Sequence, residues 1–210
     1  MPEFTGFPVE ALDFYDDLEM DNTKSFWATH RSIYDTAVLG PMTSLMRGLE
    51  PTFGPAKVFR PYRDVRFAKD KTPYKDHQGA FVAAGPSTGW YVEVGAPGVR
   101  VGAGFYDAAS DRLASLRSAI GAEKAGSDLV RILGGLKDEG WTLSGETLKT
   151  SPRGYAADHP RIDLLRHKSM AVTRSYGFDE LIHTPRLLDR VRVDWEAATP
   201  FVNWLSTHGG

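Results

Sequence analysis

Residues 90–105 read WYVEVGAPGVRVGAGF. Two runs, Trp90–Val94 and Val99–Phe105, place β-branched and aromatic residues at alternate positions, which is the pattern of half-buried strands. Between them stands Gly95-Ala96-Pro97-Gly98. Glycine accepts positive φ and proline fixes φ, so this tetrapeptide reverses the chain tightly. The stretch reads as a β-hairpin, and a hairpin sets its two strands antiparallel.

Strand signals continue upstream. Val58–Phe67 carries valine, phenylalanine and tyrosine in a rough two-residue rhythm, and Phe81–Ala84 is a second short run. Farther out, the period changes from two to 3.6. Phe7–Glu19 predicts a helix opened by Pro8. Asp21, Asn22 and Thr23 supply capping oxygens for a second helix, which Gly40-Pro41 interrupts before Met42, Leu45, Met46 and Leu49 resume the spacing. Downstream, Ser110–Ile120 and roughly Ser127–Glu139 read as helices, the latter weakened by Gly134-Gly135. Trp141–Lys149 suggests a small hairpin. Ile162–Arg166 reads as a short helix before a strand at Lys168–Arg174, and Pro185–Leu205 as a helix bent at Pro200. Helices, then strands, then a mixture is not a repeated βαβ pattern. The expected fold is α+β, a mostly antiparallel sheet flanked by helices, in a single domain over residues 1–210.

Composition narrows the chemistry. The chain has 210 residues, enough for a sizeable core, and no cysteine. Disulfides, thiolate metal sites and cysteine nucleophiles are therefore excluded. None of the six histidines forms an H-x-x-x-H or H-E-x-x-H pattern, so no metal site is expected. No phosphate-loop or hydrolase-elbow motif occurs, and the motifs name no particular cofactor. The N-terminus lacks the basic and apolar regions of a signal peptide. No apolar run approaches the ~20 residues that span a bilayer. A cytoplasmic protein without a membrane partner is expected.

Charge is unevenly spread. Lys57–Lys75, KVFRPYRDVRFAKDKTPYK, holds seven basic residues against two acids, a local +5 in a chain of net charge −2. Packed like charges repel, and an anionic partner is the usual compensation. Read as a strand, one face carries Phe59, Pro61, Arg63, Val65 and Phe67, and should meet the core apart from Arg63. The other groups Arg60, Tyr62, Asp64 and Arg66, two guanidiniums with a carboxylate between them. Lys69, Lys71 and Lys75 then follow on a bend set by Thr72-Pro73, with Tyr74 beside them. On the hairpin, Arg100, Gly102 and Gly104 share a nearly bare face, which is either the floor of a pocket or the seat of a packed element. His77 lies just past the basic segment and is a candidate acid or base. Asp163, Arg166 and Lys168 crowd a helix-to-strand junction that would extend the basic site if it folded against Arg63.

Several of these motifs occur together in one known family. They are N-x-x-x-F-W (Asn22, Phe26, Trp27) with His30, Arg31 and Tyr34; F-R-x-x-R-D-x-R-F-x-K-D-K-x-P-Y-K (Phe59 to Lys75); the G-x-G strand; S-P-R-G-Y at 151–155; and H-P-R-I-D-L-L-R-x-K at 159–168. The chain resembles the DUF2461 family over nearly its whole length. The resemblance implies that the central block is the shared hallmark, and it implies no activity. Ala68 and Asp76 stand where the family pattern commonly has serine and threonine.

The expected site is an Arg/Lys-lined pocket for a small phosphorylated or carboxylated molecule. Binding alone and binding with acid–base chemistry by Asp64 or His77 with Lys71 both fit it. Two rivals remain at this level: a nucleic-acid surface, disfavoured by the near-zero net charge, and an interaction scaffold whose arginines pair internally. The oligomeric state is not encoded legibly.

Overall fold

The computed structural model describes residues 3–209. The outer residues of the expected 1–210 domain, Met1, Pro2 and Gly210, lie outside them. The element order is α1 (Val9–Met20), α2 (Lys24–Ile33), a π-helical turn (Tyr34–Leu39), α3 (Gly40–Phe53), β1 (Ala56–Val58), β2 (His77–Gly85), β3 (Thr88–Gly95) and β4 (Gly98–Phe105). Then come α4 (Ser110–Gly121), α5 (Glu123–Asp138), β5 (Thr142–Ser144), α6 (Ile162–Leu165), β6 (Met170–Gly177), a 3₁₀ turn (Glu180–His183) and α7 (Arg186–His208). The fold is α+β, with one antiparallel six-stranded sheet in the order β1-β2-β3-β4-β6-β5.

The hairpin forms where the sequence puts it, with Ala96-Pro97 as its two-residue turn. Gly98 takes φ +97°, and a Cβ there would collide with the Gly177 carbonyl. Only glycine meets both demands. Gly40-Pro41 does not interrupt the helix. The wide turn at Tyr34–Leu39, in which Gly40 N donates to the Asp35 carbonyl five residues back, carries the winding into Pro41 and α3 without a break. The small hairpin expected at Trp141–Lys149 is absent. Thr142–Ser144 pairs instead with Ala171–Thr173 of β6, a contact between distant segments.

By their internal contacts the residues fall into two compact units. The first comprises Met1–Val82, Tyr91–Val101 and Ser175–Val193. Its core is aromatic and aliphatic: Phe14, Tyr15, Leu18, Trp27, Tyr34, Met42, Leu45 and Leu49 from the helices are buried, as are Val92, Val94, Val99 and Val101 from the hairpin. Tyr34 reaches from the π turn to the buried Gln78, donating to Oε1 at 2.6 Å, and Gln78 Nε2 donates to the Phe59 carbonyl at 2.8 Å. The second unit comprises Ala83–Trp90, Gly102–Arg174 and Asp194–Gly210. Leu116, Ile120, Leu129, Trp195, Phe201 and Leu205 are buried there. Arg112 is buried too, its guanidinium donating to the Pro86 carbonyl and the Thr88 hydroxyl and lying over the Phe105 ring.

Candidate functional site

The expected strand at Val58–Phe67 stops at Val58. Beyond it the chain forms a loop with a closed neck. Tyr62 and Tyr74 make an isolated bridge, Arg63 N donates to the Pro73 carbonyl at 2.9 Å, and Lys75 N donates to the Pro61 carbonyl at 2.8 Å. Pro61 and Pro73 have no N–H to extend a ladder. Phe67, which the alternation aimed at the core, is 97% exposed.

Inside this loop each carboxylate is taken by an arginine. Arg63 donates to Asp70 at 2.5 Å and to the Thr72 hydroxyl at 2.6 Å. Arg66 grips Asp64 through Nε at 3.0 Å and Nη2 at 2.6 Å. Both carboxyls are held below the usual range: Asp70 by hydrogen bonds from Thr72 and then by Arg63, Asp64 by Arg66. Lys71 donates to the Val65 carbonyl at 2.8 Å, and Lys69 is exposed.

Tyr74 is buried at the loop neck, with its ring stacked on Trp27 at 4.1 Å. Tyr62 lies 5.4 Å from Tyr74 and is half exposed. Of the three capping candidates Asp21, Asn22 and Thr23, Thr23 caps α2, accepting from Phe26 N, while Asn22 clasps the Tyr74 backbone. The aromatic rings of the N-terminal motif and the P-Y-K end of the basic motif are thus one packed unit.

Three cations of the segment behave differently. Lys57 pairs with Phe81 across the β1–β2 register, which places both on one sheet face; two residues on, Phe59 N donates to the Gly79 carbonyl. The Phe59 ring has Lys57 Nζ at 5.7 Å and Lys75 Nζ at 5.1 Å from its centroid. Among the described residues, no carboxylate lies within ion-pair distance of Lys57, Arg60 or Lys75. The Lys75 ammonium is pulled below the usual lysine range, first by burial and then by repulsion from Arg60 and Lys57. This is uncompensated positive charge.

The same face carries a polar cleft. Gly79 leaves room for Tyr91, since a Cβ there would sit 2.4 Å from its hydroxyl. Tyr91 packs 6.4 Å from Phe59 and donates to Glu93 at 2.6 Å. Glu93 also receives Arg100 at 2.7 Å, and His77 Nε2 stands 3.6 Å from it. His77 Nδ1 meets Asp76 at 2.6 Å. Burial and the Glu93 charge push the Tyr91 phenol far up, so it remains a donor. The cleft measures about 460 Å³, and Glu19 and Ser175 also line it. An imidazole oriented by a carboxylate on one nitrogen, with the other beside a second carboxylate at the cleft wall, can pass a proton along that chain.

The remaining expected residues lie elsewhere. Arg166 pairs with Asp163 at 3.4 Å and Lys168 with Glu146 at 2.6 Å, both within the second unit. Gly104 is not a pocket floor: at φ +149°, a Cβ would sit 2.2 Å from the Met170 carbonyl of β6. Sequence reasoning missed Asp76 and Glu93 as partners of His77, Glu93 as the partner of Arg100, and Tyr91 as the donor to Glu93. The signal was there, because Tyr91 and Glu93 alternate with buried Val92 and Val94 and so share the face opposite the core. Among the described residues, no group of three or more histidines and carboxylates is arranged to hold a metal ion. No helix there is long and apolar enough to cross a membrane.

The family model described as "Conserved hypothetical protein (DUF2461)" matches residues 10–204. No curated protein and no solved structure matches the chain. With the N-terminal motif locked onto the basic motif and the match running almost end to end, the chain belongs to the DUF2461 family.

Proposed function

We propose that the open sheet face of the first unit binds a small molecule carrying a phosphate or carboxylate. Lys57, Arg60 and Lys75 hold the anion, and His77, Glu93 and Arg100 stand in the adjoining cleft. One observation carries this reading: the Lys57 and Lys75 ammoniums converge on the Phe59 ring, and among the described residues no carboxylate neutralises them or Arg60. An arriving anion would relieve the repulsion among these cations. Arg63 and Arg66, by contrast, already hold Asp70 and Asp64. They belong to loop structure in this reading, with Lys69, Lys71, Tyr62 and Tyr74 at its edge. His77, oriented by Asp76, is the group positioned to exchange a proton with the ligand.

Inorganic phosphate titrated into the full chain and followed by amide NMR tests the proposal. Lys75→Gln and Arg60→Gln should each weaken binding by about fivefold, the size of one charge–charge contact in water. Arg63→Gln and Arg66→Gln should change it little. Equal losses in all four variants, or no saturable shift in the wild type, would refute the assignment.

A second reading rests on Phe67, 97% exposed between Arg66 and Lys69. An exposed ring among cations suits base stacking by single-stranded nucleic acid. A gel shift at low salt that Phe67→Ala removes would support it, and no shift would dismiss it.

A further inference from the structure

The second unit contains a different cleft, about 680 Å³ in volume, framed by α5, β5 and α6. That volume lies within the range of roughly 300–1,000 Å³ typical of small-molecule sites. Its walls are apolar: Val130 and Leu133 from α5, Leu143 from β5, and Leu164 from α6. Val130 is 47% exposed and the other three are half-buried, so the fold leaves these side chains unfilled.

Glycine usage inside α5 separates packing from vacancy. A Cβ on Gly126 would strike the Ile120 carbonyl at 2.2 Å and Arg161 Nε at 2.5 Å, so packing demands glycine there. A Cβ on Gly134 would meet nothing within 4 Å. Glycine weakens a helix interior, and no neighbour in the protein requires it at this point. Its effect is to keep the cleft open beside Leu133.

Polar side chains mark one part of the wall. Lys137, one turn beyond Gly134, is the charged residue lining the cleft, and no carboxylate pairs with it among the described residues. Trp141 also lines the cleft; its indole nitrogen is shielded from solvent and has no acceptor among the described residues. An apolar space with one cation on its wall complements a molecule that is mostly hydrocarbon with a single anionic end. We propose that this cleft binds an acyl carboxylate of medium chain length, its hydrocarbon against Leu133, Leu143 and Leu164 and its carboxylate toward Lys137. The site is separate from the sheet face assigned above, and neither assignment depends on the other.

The test titrates the full chain with octanoate and, separately, with 1-octanol, following the Trp141 indole and the Gly134 and Gly140 amides by NMR. Saturable shifts at these groups are expected with both. Lys137→Gln should weaken octanoate by about tenfold, the scale of one charge-assisted hydrogen bond, and leave octanol within about twofold. Gly134→Leu fills the space and should abolish binding of both. A thermal transition no lower than that of the wild type verifies that this variant is folded. The proposal is overturned by the absence of saturable shifts, by shifts confined to other regions, by wild-type affinity in a folded Gly134→Leu, or by equal loss of both ligands in Lys137→Gln. It is likewise overturned if the chain sediments as a dimer that Gly134→Leu dissociates, because the cleft is then a subunit interface.

Discussion

Asn22 holds both polar groups of the Tyr74 backbone: Nδ2 donates to the carbonyl at 3.1 Å, and Oδ1 accepts from the N–H at 3.1 Å. The two residues are 52 positions apart. Tyr74 closes the neck of the basic loop, so a side chain at the start of α2 anchors the backbone that precedes Lys75. Asn22→Ala leaves that N–H and carbonyl without protein partners. Partial water access softens the loss, and stability should fall by about 1–3 kcal/mol. Urea unfolding measures it. A variant as stable as the wild type would show that water replaces the clasp.

Lys75 should titrate before the other lysines. Burial and the neighbouring Arg60 and Lys57 disfavour its charged form. Because its folded-state pKa is depressed, the charge opposes folding at neutral pH, and that opposition fades as pH rises through the depressed value. A bound anion favours the charged form and should move the titration upward. Side-chain carbon NMR of Lys75 with and without phosphate reads both effects. An unmoved titration at saturating phosphate would place the anion elsewhere.

Tyr34 sets an alkaline limit. Its phenol is buried and pushed up to about 12, against about 10 in an unfolded chain. The folded state therefore binds the proton more tightly. The stability this confers is complete below about pH 10 and is lost as pH rises toward 12. Tyr15 and Tyr91, both raised by burial, act in the same direction. Urea midpoints measured from pH 8 to 11 should decline. Tyr34→Phe should flatten part of that decline and, at pH 8, cost about 1–2 kcal/mol for the lost bond to Gln78.

Gly135 offers the opposite sign. It is exposed within α5, and a Cβ there would meet nothing within 4 Å. Gly135→Ala should raise stability by about 0.5–1 kcal/mol through helix propensity and a less flexible unfolded chain. Thermal unfolding detects this as a higher midpoint.

Local chemistry was readable in the sequence and distant pairing was not. The Gly95–Gly98 turn declared the β3–β4 hairpin because its residues have few other uses. Alternation in Val92–Val94 and Val99–Val101 gave the buried face of the same strands. The segment after Val58 alternated just as well, yet it has no partner strand there and two prolines to stop it, so it became a loop. Likewise, Thr142–Ser144 shows no sign of its pairing with β6, which depends on where a segment almost thirty residues away is delivered. For the site, the excess of cations was visible, but not which of them would find a carboxylate. Asp64 and Asp70 took the arginines two and seven positions away, and the lysines at the strand ends were left over.

The wide turn at Tyr34–Leu39 has a consequence for insertions and deletions. Each residue of an α-helix rotates the next by about 100°. Regular α-winding of Tyr34–Leu39 at its present length would swing Met42, Leu45, Met46 and Leu49 away from the interior by about 100°, whereas a one-residue deletion would restore regular winding with that face in place. The wide turn thus takes up one extra residue while keeping the face of α3 in register, and this point should tolerate the loss of a residue better than the gain of another.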